Sequence, residues 1–441
     1  MNTGLEGNNN MPMKNYSFTA FAISLLLLFT TACAKDSNTG SPENHQSNNK
    51  IIIHILQGKL EIADQLKALT DQYTREHPNV IFKIETVGFG ADSEGALKAE
   101  FASGKPPDIF TSEGYQNAYI WKDQLEDLSD QPWVKDAYPE ALQPMTIDGK
   151  VLGQPINLEG YGFIYNKALF KKAHITKLPK TFTELEATAK KLKSAGITPF
   201  SIAYAEWWVL GNHGLNVPFS YAQTENPNFI PGLNSGATKI TGNQYFDDYF
   251  KLLDLTIKYG NQNPLTTDYN TELNQFAKGQ TAMIQQGNWV QPILDKLNPN
   301  MDVGFIPMPL NSNTNQTDQL MVGVPSNWVI YNKAPESHKK YAKDFLNWMV
   351  SSKEGQTALT KDFKYIPAFQ NIEAKPEDIG PLGADLEQYI KAGKTYSWQF
   401  MKYPDGAGQA FGAALQAYIA GQKSKDETEK ALDAIWVKLK K

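Results

Sequence analysis

The sequence predicts an α/β protein whose sheets are mainly parallel and flanked by helices, with a ligand cleft at the ends of its strands. Three observations carry this expectation. Continuous apolar runs alternate with helix-period segments from residue 50 onward, which is the pattern of a buried parallel sheet. The chain has 441 residues, 41% of them hydrophobic, enough for two sizeable cores. Residues 276–290 read as a helix stopped at Gly279, a short strand over 281–286, a glycine turn and a new helix near Asn288, a residue type that caps helices well. In open α/β sheets the turn after such a strand borders the ligand cleft, which would put Trp289 there. From local pattern alone Trp289 serves equally well as the first core residue of its helix.

Taken in order, residues 50–56 form a continuous apolar run that fits an interior parallel strand. Ile62, Leu66, Leu69 and Tyr73 repeat at helical spacing until Pro78. A strand over 80–87 leads through Gly88-Phe89-Gly90 to a helix over 92–103, and a third strand spans 108–111. Two strand-like pieces lie within 151–167, around Pro155 and Gly160. Thr181-Phe182-Thr183-Glu184 is a capping box opening a helix to Ser194, and a strand follows over 197–203. Residues 205–221 read as an aromatic loop, and 241–259 as an amphipathic helix. Strands are expected over 302–308 and 320–331, and helices over 335–349, 352–359, 407–420 and 425–440. Leu432, Ile435, Trp436 and Leu439 share one face of the last helix and read as core.

Net charge is −5 and no basic cluster stands out, which argues against nucleic acid and anionic membrane surfaces as partners. The six histidines lack the His-x-x-x-His spacing and only one cysteine exists, so neither a zinc site nor any other metal or cofactor is expected. No nucleophile elbow and no Walker loop occurs, and Gly88-Phe89-Gly90 lacks the third glycine of a dinucleotide fingerprint. That segment reads as a tight turn where backbone, Gly90 included, approaches a ligand. Glu113, Glu159 and Glu206 stand near strand ends or turns; any two could pair in a glycosidase, all could be plain surface groups, and we read them as acceptors for the hydroxyl groups of a ligand. Nine Trp, 20 Tyr and 22 Phe exceed what two cores need, so some rings are expected on a binding surface. Gln57-Gly58-Lys59 offers donors at a helix start, Gln57 and Lys59 at a switch-point position. Of the adjacent Trp207 and Trp208, we assign Trp207 to the cleft and Trp208 to the interior.

The pattern Phe276-x-x-Gly279-x-x-Ala282-Met283-x-x-x-Gly287-x-Trp289 is similar to a signature of the extracellular solute-binding proteins of carbohydrate ABC importers, the family that includes maltose-type binding proteins. Pro107-Asp108-Ile109-Phe110, the stretch from Tyr161 to Lys167, Pro179 to Leu185 and Gly323 to Ile330 match in the same order. The resemblance implies a two-lobed periplasmic-binding-protein-like fold of type II, with Trp289 stacking on a sugar ring. It places Tyr161 just after a crossing between lobes, and Trp398 and Asp405 before a helix that borders the site. It further implies three crossings, near Asn157, Leu310 and Ile366. The N-terminal lobe would then be 50–157 plus 310–366, and the C-terminal lobe 158–309 plus 367–441. The partners implied are an oligosaccharide and the permease subunits of an importer, with the binding protein a monomer. A secreted glycoside hydrolase or polysaccharide lyase, and a binder of non-sugar ligands on the same fold, are the rivals. Against a peptide ligand stands the single arginine, Arg75, on an outer helix.

Residues 18–30 are an apolar run too short to span a bilayer, preceded by Lys14 and followed by Ala32-Cys33. This resembles a bacterial lipobox and implies that residues 1–33 are a lipoprotein signal peptide with Cys33 as the lipidation site. The Ser/Asn/Gly-rich 34–49 would be a flexible tether, leaving the protein on the outer face of the cell membrane.

Overall fold

The opening apolar run folds as β1 (Ile51–Gln57), an interior strand lying between and parallel to β2 (Val80–Thr86) and β3 (Ile109–Ser112). The computed structural model describes residues 50–88 and 93–440, so Cys33, the tether 34–49 and Gly90 fall outside the described residues. The chain continues through β4 (Gln154–Pro155), β5 (Glu159–Asn166), β6 (Thr198–Ser201), β7 (Thr281–Gly287), β8 (Val303–Ile306), β9 (Leu320–Gly323), β10 (Asn327–Ile330) and β11 (Thr395–Ser397). Two large sheets result. One has the order β2-β1-β3-β10-β4, and the other β11-β9-β5-β7-β6 with β8 on the far half of β5.

Each sheet carries its own core and its own helices. Ile53, Tyr73, Trp133 and Phe345 lie in the first, and Phe163, Phe200, Phe219 and Trp436 in the second. Trp436 and Leu432 are buried there as their helical spacing implies. Every residue of β5 and β7 is buried, because helices cover both faces of the second sheet. The helix Phe182–Ser194 opens on the expected capping box, with Thr181 and Glu184 each accepting from the other's backbone N–H at 3.2 Å. The helix Tyr269–Ala277 stops where Gly279 takes φ +69°, a conformation that favours glycine.

Three expectations need correction. Both sheets are mixed and not mainly parallel: β10 runs antiparallel to β3 and β4, and β5 runs antiparallel to β7, β8 and β9. A strand that enters from the other sheet is not delivered by a βαβ crossover, so nothing obliges it to lie parallel. Residues 320–331, read as one strand after a crossing near Leu310, are two strands in different sheets. β9 pairs with β5 and β11, while β10 pairs with β3 and β4, so the passage is 324–326. Pro325 sits there, and without an amide hydrogen it cannot extend a ladder. Finally, the stretch read as an aromatic loop holds a π-helical turn, Val209–Gly214, and the helix Leu215–Glu225. Gly211 lets this turn lie directly on the helix Ala407–Ile419, where a Cβ would strike the carbonyl of Gly408. That close approach, invisible locally, is what makes a glycine- and proline-bearing segment helical.

Candidate functional site

Two cavities open between the sheets, one of about 310 Å³ and one of about 300 Å³. They share Gly58, Lys59, Glu113, Asn212 and Phe400 and so meet end to end.

The larger is walled by rings. At the end of β7 the chain tightens into a single 3-10 turn, Asn288–Val290, before the helix Gln291–Leu297. Gly287 lacks a Cβ, and the Trp289 ring lies over that gap; any side chain at Gly287 would strike the indole. Trp289 Nε1 donates to Gln286 Oε1 at 3.2 Å, which fixes the ring's angle. Asn288 is buried below it and accepts from the Gly160 N–H at 2.9 Å, tying the turn to β5 without lining either cavity. Trp398 lies over Gly323 of β9, where a Cβ would sit 2.7 Å from the indole. The two tryptophans thus stand on glycines at the ends of β7 and β9, the two strands that flank β5.

His213 sits at the centre of this wall. Its ring stacks on Tyr161 with centroids 4.6 Å apart and lies 5.1 Å from Trp289, 5.2 Å from Trp208, 5.6 Å from Phe400 and 6.0 Å from Trp398. Burial lowers its pKa to about 3, so the imidazole is neutral, and Nδ1 has no partner among the described residues. Tyr161 is buried behind His213 and donates its hydroxyl to the His213 carbonyl at 2.8 Å. It supports the wall and lines neither cavity. Trp208, expected in the interior, lines the ring-walled cavity, while Trp207 lines the other.

The charged groups are arranged differently. Lys59 is buried, and its ammonium contacts Glu159 and, at 3.2 Å, Glu61. Burial alone would lower the Lys59 pKa, but Glu159 and then Glu61 outweigh it and hold it above the ordinary value. Burial raises the Glu61 carboxyl, and Lys59 opposes that rise. Gln57 holds the Lys59 backbone, donating to its carbonyl at 3.0 Å and accepting from its N–H. Asn157 donates to Glu159 at 3.1 Å. The expected Gln57 and Lys59 donors are therefore engaged with protein groups, and Lys59 joins residues a hundred positions apart.

Glu113 follows β3 and lines both cavities. Burial raises its pKa to about 7, and Glu94 and Asp405 push in the same direction. Glu206 lines the ring-walled cavity and accepts from the Tyr269 N–H at 3.1 Å; Asp405 lines the second cavity and is exposed. Behind Glu206, Glu272 accepts from Gln286 at 2.6 Å and from the Ala203 N–H at 3.2 Å, with its pKa raised by burial to about 8. His54, Glu85 and Glu100 come close enough to share a metal ion, but none lines either cavity.

The sequence therefore points to Trp289, Glu113, Glu159, Glu206, Trp207, Trp398, Asp405, Gln57 and Lys59, all of which line one cavity or the other. It misses Trp208, His213, Tyr269 and Phe400, which complete the wall of rings. A histidine between Asn212 and Gly214 carries no local signal; only the packing of four distant segments puts it there.

Residues 59–356 match the family described as bacterial extracellular solute-binding protein. The chain is 24% identical over 386 residues to the multiple sugar-binding protein of Streptococcus mutans serotype c, covering 82% of this chain and 84% of that one. To the maltodextrin-binding protein MdxE of Bacillus subtilis it is 24% identical over 450 residues, covering 96% and 97%. Among solved structures, RafE in complex with raffinose superposes with a TM-score of 0.76 at 22% identity, covering 89% of this chain and 100% of that one. The family match spans more than half the chain, and the family is described by the binding of solutes. The cleft between the two sheets, walled by rings and carboxylates, is thus the candidate site of a chain that belongs to the bacterial extracellular solute-binding protein family.

Proposed function

We propose that this protein binds a carbohydrate outside the cytoplasm and delivers it to the permease subunits of an ABC importer. The observation that carries the reading is the ring-walled cavity, which Trp208, Trp289 and Trp398 line together with Glu113 and Glu206. Indole faces cover the apolar C–H face of a sugar ring, while carboxylates accept hydrogen bonds from its hydroxyls. The second cavity, joined end to end with the first, gives room for a further ring, which supports an oligosaccharide as the ligand. Relatives named for multiple sugars and maltodextrin agree with this reading. Calorimetric titration of the mature protein with a panel of mono- and oligosaccharides tests it. Saturable binding of a sugar that is lost in Trp289→Ala is the expected result, and absence of heat with every sugar would remove the proposal.

Sugar binding closes the two lobes about the passages between the sheets, and the closed form is what the permease recognises. Small-angle scattering with and without sugar should show a smaller radius of gyration in the complex. The anchor is a separate proposal. Cys33, the chain's one cysteine at the end of an apolar leader, is lipidated and holds a monomer at the membrane's outer face. Cys33→Ser should release the protein from membranes or leave it uncleaved, and mass spectrometry of an unmodified mature N-terminus elsewhere would refute the anchor.

A further inference from the structure

The charge balance of the site is lopsided. Among the described residues, two lysines and six carboxylates line the two cavities. Both lysines are already engaged: Lys59 by Glu159 and Glu61, and Lys98 by Glu94 at 3.4 Å. Glu113, Glu206 and Asp405 face the cavities with no ion-pair partner among the described residues. The chain's one arginine bonds Gln72 on the helix Ala63–Glu76 and lines neither cavity.

Two further observations are independent of that balance. Trp208, Tyr269, Trp289, Trp398 and Phe400 surround the larger cavity, and the negative face of an aromatic ring attracts a cation. The indole N–H groups of Trp208 and Trp398 are buried and have no acceptor among the described residues. A buried unpaired N–H is unfavourable, so an oxygen acceptor brought within reach of either indole would be stabilising.

We propose that the ligand is an amino sugar, or a short oligosaccharide containing one, whose free ammonium lies at Glu113 where the two cavities meet and whose ring lies against the aromatic wall. This rests on the carbohydrate reading above and narrows it. A carboxylate or phosphate sugar would face three unpaired carboxylates and is excluded by repulsion. A neutral sugar offers Glu113 hydroxyl donors but no positive charge to offset Glu94 and Asp405 beside it; burial and those two neighbours already raise its pKa to about 7.

The test is a calorimetric comparison, on the mature protein, of oligosaccharides that differ only at one ring substituent: free amine, N-acetyl or hydroxyl. Both gluco and galacto series and both anomeric linkages are included. The amine should bind at least about tenfold more tightly than its N-acetyl and hydroxyl counterparts. Glu113→Gln should remove most of that preference, read as the ratio of the amine's affinity to that of its N-acetyl counterpart on the same variant. Asp405→Asn, at an exposed position, should reduce the preference in the same direction by less, and serves if Glu113→Gln does not fold. Tighter binding by a neutral sugar overturns the amino-sugar assignment and leaves carbohydrate binding standing. A preference for the amine that survives both substitutions overturns the assignment to Glu113. A panel in which no sugar binds removes both readings.

Discussion

The two sides of the cleft are built from different chemistry. The side carried by the first sheet presents Lys59, Glu61, Glu94, Glu113 and Asn117 and contributes no aromatic ring to the larger cavity. Trp208, His213, Tyr269, Trp289, Trp398 and Phe400, its full set of rings, all belong to the side of the second sheet. The difference has a physical consequence. A flat apolar wall needs no partner across the cleft to bind a ring, because the stabilisation scales with the area it covers. Charged and hydrogen-bonding groups act best after closure, when water has left and the local dielectric is low. In the proposed binding mode the second side is the platform, and the first side would add discrimination on closing.

The largest expected effect breaks the buried ionic link of Lys59 with Glu159 between the two sides. Lys59→Met leaves Glu159 and Glu61 buried without their cation, and should destabilise the protein by about 3–5 kcal/mol. A melting temperature close to that of the wild type would show that the two carboxylates protonate or hydrate at little cost. Next is the platform itself. Trp289→Ala removes a ring that is 8% exposed and packed against His213, so affinity for sugar should fall on the order of 100-fold, with some loss of stability. A destabilised variant with near-native affinity would place Trp289 among core residues alone.

A smaller effect separates Glu113 from the platform. Its folded-state pKa is raised, so the fold prefers the protonated carboxyl; stability contributed by this group is present at low pH and lost as pH rises through about 7. Glu272, raised to about 8, has the same sign. The melting temperature of the sugar-free protein should therefore drop between about pH 5 and pH 8, and Glu113→Gln should flatten part of that slope. An unchanged slope would mean that solvent in the cleft hydrates Glu113 fully. Smallest of all is the exposed pair of Asp64 and Lys296, 3.0 Å apart across the two sides. Screening by water limits such a pair, so Lys296→Ala should change sugar affinity by no more than about fivefold. A larger loss would make this contact part of the closing device.

Much of this was legible before any coordinates. The turn holding Trp289 could be read because a strand, a small residue and a helix-start residue follow one another within a few positions, each with a local cause. The strands β1 to β3 were equally open to reading, since an apolar run bounded by turn residues has few other fates. Their partners in the second half of the chain were not. Residues 320–331 look like one strand because alternation and β-propensity do not register which sheet a strand joins. Lys59 reads as a free donor, because nothing in its neighbourhood announces Glu159.

What the sequence determined by itself was therefore local: where helices start and stop, which runs are buried, and that a tryptophan ends a strand. Those outcomes follow from capping, backbone freedom and periodicity, all of which act within a few residues. The tertiary structure alone decided which groups meet. It folded 205–221 as helix by pressing Gly211 against Gly408, set His213 among the rings of five other residues, and locked Lys59 between two carboxylates. The reason is that these contacts are between segments far apart in the chain, and their energy depends on shape and dielectric at a site that exists only once both sheets have formed.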